Sequence, residues 1–198
     1  MKTVLVVLVA ALALAPAVSN TELPWYAQID PSNGEQHGPG VGAEYGDIEW
    51  LDFANQAFDF PLTKEKALEI LLKTEEFRNH SEGFGGSPSV QVYAFNVVLE
   101  QPDAAGAFQY LFRRGKLAGK LYALCGLFHA DPGVYAELLP ELSERDDQIL
   151  SNRGCMVGLW PLQEVLLEIE NGSLPSAFRD SAQDAEGQFR KLWGDPSN

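Results

Sequence analysis

The sequence predicts an all-α fold, a compact domain of antiparallel helix pairs with a short α-solenoid as one form of it, preceded by a glycine- and proline-rich arm. Three observations carry this prediction. Residues 102–142, PDAAGAFQYLFRRGKLAGKLYALCGLFHADPGVYAELLPEL, hold three helix-period patterns separated by very short breaks. Helix start and stop residues stand at the ends of those patterns. Signals for strand hairpins are scarce along the rest of the chain.

Residues 1–19 read as a secretory signal peptide. Lys2 is followed by an apolar run from Val4 to Val18 and then by small residues, the layout that precedes cleavage before Asn20 or before Val18. The run is shorter than the roughly 20 residues a membrane-spanning helix needs. Residues 20–46 form the arm, with five glycines and with prolines at 24, 31 and 39; Trp25 and Tyr26 are its expected anchors on the body. The domain proper is expected over 47–198.

Within that domain Asp47 opens a pattern with Ile48, Leu51, Ala54 and Phe58 on one face. Thr63 caps the next, TKEKALEILLKTEEFR. SEGFGGSPS reads as a loop. VQVYAFNVVLEQ is rich in valine, which favours a strand, but Val90, Tyr93, Ala94, Val97 and Val98 fit the helix template and alternation fails at Asn96, so a helix is predicted. Ala104, Ala107, Phe108, Leu111 and Phe112 form one stripe, closed by Gly115 in the left-handed conformation. Leu117, Leu121, Leu124, Cys125 and Phe128 form the next. Because Tyr122, Ala123 and Leu127 make that helix apolar on most sides, it is the expected core helix. Asp131-Pro132 opens a third run with Val134, Tyr135, Leu138, Leu139 and Leu142. SERDDQILSNRG reads as a polar loop and Cys155 to Leu159 as a short extended piece. Pro161 starts a helix with Leu162, Val165, Leu166 and Ile169, ended by Asn171-Gly172. A last helix is expected from about Ser181 to Trp193.

AGKLYALCGL followed by ADPGVYAELLPEL resembles one unit of a HEAT-type α-solenoid, and the wording from Gly119 to Leu127 is similar to exported bacterial helical proteins. The resemblance covers about forty residues, without a second copy at a fixed period. It implies a concave helical surface that binds another macromolecule.

The 198 residues carry 28 acidic and 14 basic side chains, a net charge of −14. That balance opposes nucleic acid and anionic lipid as partners; another exported protein is the expected partner, and no cofactor or metal is expected. Cys125 and Cys155 are an even pair in a chain bound for an oxidising compartment, so a disulfide is expected between them. His129 and Asp131, at the end of the core helix, have the composition of an Asp-oriented general base, or equally of a structural histidine at a helix C-terminus. Arg113, Arg114, Lys116 and Lys120 gather four positive charges at a tight turn, as an anion site or as helix-end electrostatics. Glu137, Glu141, Glu144, Asp146 and Asp147 read as a solvated face rather than a cation site. Asn79 and Asn171 begin glycosylation sequons. GxSxG, HExxH and P-loop patterns are absent. The expected function is that of an exported, non-catalytic binding or structural protein, against two rivals: a small periplasmic hydrolase using His129 and Asp131, and a small-anion binder at the basic turn.

Overall fold

The structure is a computed structural model; it describes residues 23–29, 61–82, 89–154 and 156–181. The helices expected from Asp47 and from Ser181 to Trp193 lie outside these residues, as do the GFGGS segment, most of the arm and Cys155.

In chain order, a 3-10 turn (Trp25–Gln28) is followed by α1 (Lys64–Lys73), β1 (Phe77–Glu82), α2 (Val90–Leu99), α3 (Ala104–Arg114) and α4 (Leu117–Ala130). Then come α5 (Pro132–Leu138), α6 (Pro140–Ser143), β2 (Gln148–Gly154), β3 (Met156–Pro161), α7 (Leu162–Glu170) and α8 (Ser173–Asp180). The fold is mostly helical but not all-α. A three-stranded mixed sheet, ordered β1-β2-β3, has β1 parallel to β2 and β2 antiparallel to β3. The described residues show no solenoid of repeated pairs; helices and sheet share one core.

Local chemistry explains most boundaries. The Thr63 hydroxyl accepts from Lys66 N at the start of α1, and Ser89 accepts from Val92 N at the start of α2. Gly115 ends α3, but with φ −74° and ψ 160°, extended rather than left-handed. Among the described residues the left-handed position is Gly172, φ +76°, between α7 and α8. Pro140 divides the run after Asp131 into α5 and α6 because a proline cannot donate its nitrogen to a continuing helix.

α4 is the centre, with nine of its fourteen residues buried. Its pairing with α3 needs Gly126: a Cβ there would lie 2.4 Å from the Phe108 ring. Two turns earlier on the same side of α4, Gly119 sits against the Leu71 carbonyl of α1, where a Cβ would come within 2.7 Å. Phe178 of α8 stands at the middle of an aromatic cluster, with ring centroids 5.7 Å from Phe77, 5.6 Å from Phe95 and 5.6 Å from Tyr122. Phe95 in turn lies 5.4 Å from Phe108. Rings at such separations interact edge to face or tilted, beyond their simple burial.

Buried polar groups tie the layers together. Tyr122, fully buried, accepts a hydrogen bond from Arg78 N and donates one to Arg78 O, both at 2.9 Å, fixing β1 to α4. Asn96 Nδ2 donates to Val92 O and, at 2.8 Å, to Phe178 O, fixing α2 to α8. The arm is anchored as expected: Trp25 Nε1 donates to Asp103 Oδ1 at 2.9 Å, and the Tyr26 ring lies on Gly106.

Candidate functional site

His129 occupies the last turn of α4 and Asp131 the junction with α5. Asp131 Oδ1 accepts from Gly133 N and Val134 N, both at 3.1 Å, so this carboxylate caps α5. The proline at the first helical position and the aspartate before it produce that geometry locally. The His129 ring packs edge-on against Phe128 at 5.4 Å, and its Nε2 is enclosed without a hydrogen-bond partner. The two residues are neighbours in space, but the orienting contact of a general-base pair is not made.

The basic turn is largely neutralised. Arg113 Nη1 donates to both carboxylate oxygens of Glu141 at 2.8 Å. Lys116 pairs with Glu75 across to the end of α1. The Lys120 ammonium lies 5.2 Å from the Phe112 ring centre, and the Arg113 guanidinium 5.6 Å from it. Of the four charges only exposed Arg114 has no such partner shown among the described residues. The acidic run is dispersed in the same way: Glu141 serves Arg113, while Arg145 Nε donates to Asp147 at 2.5 Å and holds that carboxyl below its usual range. Among the described residues no three metal-ligating side chains gather.

Cys125 is a free thiol at the centre of α4, fully buried, and desolvation pushes its pKa well up. Such a thiol is a packing group rather than a nucleophile. Its expected partner Cys155 lies outside the described residues. Across the α4–α5 corner, Tyr135 packs edge-on to Phe128 at 5.5 Å with its hydroxyl buried and unpartnered. Burial first, then the charges of Glu170 and Cys125, raise its pKa to about 12. Asn171 is exposed between α7 and α8, and its Oδ1 accepts from Ser173 N at 2.9 Å. Asn79 lies on β1.

A groove of about 290 Å³ runs between the start of α1 and α2, lined in part by Tyr93, Asn96, Glu100 and Gln101. The amides of Asn96 and Gln101 already donate to backbone carbonyls, so they do not converge on the groove.

The sequence reading has an extended piece where β3 lies but reads β2 as a polar loop, and so misses the β2–β3 hairpin. Its inner face carries Ile149 and Trp160 toward the core. Arg153 lies over the Trp160 ring at 4.1 Å and pairs with Glu168 at 2.7 Å. Its outer face carries Leu150, Val157 and Leu159, which are 39%, 47% and 65% exposed. Leu162 N donates to Asp147 O in register with the ladder. Hydrogen-bonded and non-bonded pairs alternate in an antiparallel ladder, so Trp160, Gly158 and Met156 turn their backbone groups toward β2. Val157 and Leu159 turn theirs outward, and so does Pro161, which has no N–H to offer. The available signal was the alternation of Val157, Gly158, Leu159 and Trp160 after Arg153-Gly154.

Comparison with protein-family models, with curated proteins and with solved structures gives no match.

Proposed function

We propose that this chain is an exported, non-catalytic binding module that engages another exported protein. The observation that carries the reading is the state of the best catalytic candidates: Asp131 caps α5, while His129 Nε2 is enclosed beside Phe128 without a partner. A general base needs hydrogen-bond reach to its substrate and a group that orients it. The ion pairs of Arg113 and Lys116 weigh in the same way against an anion site at the basic turn. Among the described residues no helix is long and apolar enough to cross a membrane. In this reading the α3–α5 unit, with its resemblance to a HEAT-type pair, is the rigid scaffold of the module.

Two measurements test the proposal. N-terminal sequencing of the protein from its native host should begin at Asn20 or Val18; a retained Met1 refutes export. A panel of ester, amide and phosphoester substrates should give no turnover that depends on His129. A hundredfold loss of some activity in His129→Ala, with unchanged melting, would make the protein an enzyme.

A further inference from the structure

We infer that the free edge of β3 is the contact through which two copies of this chain form a weak two-fold dimer, joining their sheets edge to edge. The inference is independent of export and of the absence of catalysis; it rests on the strand alone.

Among the described strands β3 has a neighbour on one side only. An edge strand usually carries charge, proline or a bulge that prevents pairing with another chain. Residues 156–161, MVGLWP, have no charged side chain, in a chain whose net charge is −14, and their one proline stands at the last position of the strand. Two like-charged copies meet with least repulsion along such a strip. The nearest charge on the hairpin, Arg153, is held by Glu168.

The pairing geometry also favours a second copy. Val157 and Leu159 direct both their N–H and their C=O to the open edge, with Gly158 between them directed inward. Two copies of β3, antiparallel about a two-fold axis at Gly158, set Val157 of one copy opposite Leu159 of the other, and the reverse. Each such pair exchanges two backbone hydrogen bonds, so four join the copies. The central position brings the two chains closest, as a non-bonded pair, and there both carry glycine. Among the described residues a Cβ on Gly158 would meet no heavy atom nearer than 4.0 Å, so the half-buried position is uncrowded. Shifting the register toward Pro161 loses bonds, because that residue has no N–H. On the outer face the same register juxtaposes the exposed side chains of Val157 and Leu159, extending the apolar strip that Leu150 begins. The contact is small, on the order of 1,000 Å² over both copies, at the lower limit of specific interfaces. The dimer is therefore dependent on concentration.

The test is sedimentation velocity on the whole chain, from low micromolar to near-millimolar concentration, at low and at physiological salt. The expected result is a monomer–dimer equilibrium that tightens as salt screens the like charges. Val157→Lys and Leu159→Lys should each weaken it by about tenfold or more, whereas Leu167→Lys, on an exposed face of α7, should not. Leu159→Thr keeps strand propensity should a lysine variant fold poorly. Amide hydrogen exchange needs no variant: the Val157 and Leu159 amides should gain protection with concentration. A monomer at every concentration, open-ended aggregates, a dimer indifferent to these substitutions, or edge amides protected equally at all dilutions would each overturn the inference.

Discussion

Replacing Tyr122 by phenylalanine removes one oxygen atom from a fully buried side chain and leaves the ring in place. That oxygen accepts from Arg78 N and donates to Arg78 O, so its loss strands a backbone donor and a backbone acceptor together. Tyr122 has no exposed surface, and its ring lies 4.8 Å from Phe77 and 5.6 Å from Phe178. The Tyr122 side of the stranded pair is therefore closed to water, while Arg78 itself is half-buried. An unsatisfied buried polar group costs about 1–3 kcal/mol, so Tyr122→Phe should destabilise by about 2–4 kcal/mol in all. For a chain of this size that is a fall in melting temperature of roughly 5–15 °C. Urea denaturation followed by circular dichroism gives the free energy, and hydrogen exchange locates it: the Arg78 amide should lose protection. A loss below about 0.5 kcal/mol, or an Arg78 amide as slow as before, would refute the argument, since it would mean the strand is held by its ladder with β2 alone.

Asp131→Ala should cost about 1–2 kcal/mol through the lost cap of α5, whereas His129→Leu, which removes an unpartnered nitrogen, should be neutral or stabilising; thermal melts compare the two. Gly126→Ala forces a methyl into the Phe108 ring and should destabilise by about 1–3 kcal/mol in a urea titration. Cys125 should resist alkylation in the native protein at pH 8 and react in denaturant without reductant. Failure to react even then would show it bridged to Cys155. Tyr135 should ionise near pH 12, as read by ultraviolet absorbance. Its folded pKa lies above the ordinary value of 10.0, so its contribution to stability is complete below pH 10 and is lost as pH rises from 10 toward 12.

The helices were legible where a residue's own backbone preference set the boundary. Thr63, Asp131-Pro132, Pro161 and Asn171-Gly172 act within a few residues, and helices begin or end there; α1 nevertheless stops at Lys73, short of the expected TKEKALEILLKTEEFR, and Pro140 splits the run after Asp131. Val90–Leu99 is helical despite its valines because both faces are buried and Asn96 finds carbonyl partners. The sheet was not legible for the converse reason. β1 consists of FRNHSE, polar residues with one buried aromatic, and it becomes a strand only because β2 and Tyr122 supply its bonds from far along the chain. β2 hides in a polar run whose Ser151 and Asn152 are buried by packing rather than by hydrophobicity. α8 escaped notice because SLPSAFRD opens with serine and proline, and only the fit of Phe178 into the aromatic cluster makes it necessary. As for the candidate site, composition placed His129, Asp131 and the basic turn correctly along the chain. It did not show that the cap and the ion pairs already occupy Asp131, Arg113 and Lys116.

The parallel pairing of β1 with β2 has a kinetic meaning. Phe77 lies opposite Ser151, so the first register contact of the sheet closes a loop that contains α2 through α6. The α3–α4 hairpin and the β2–β3 hairpin need only neighbouring residues, and contacts of short range form before those of long range. Assembly should thus proceed from two local hairpins to a final docking in which β1 slides between β2 and α4. Until that moment both edges of the β2–β3 ribbon are open. A nascent chain released before docking therefore exposes to wrong pairing the edge of β2 that β1 covers in the native sheet.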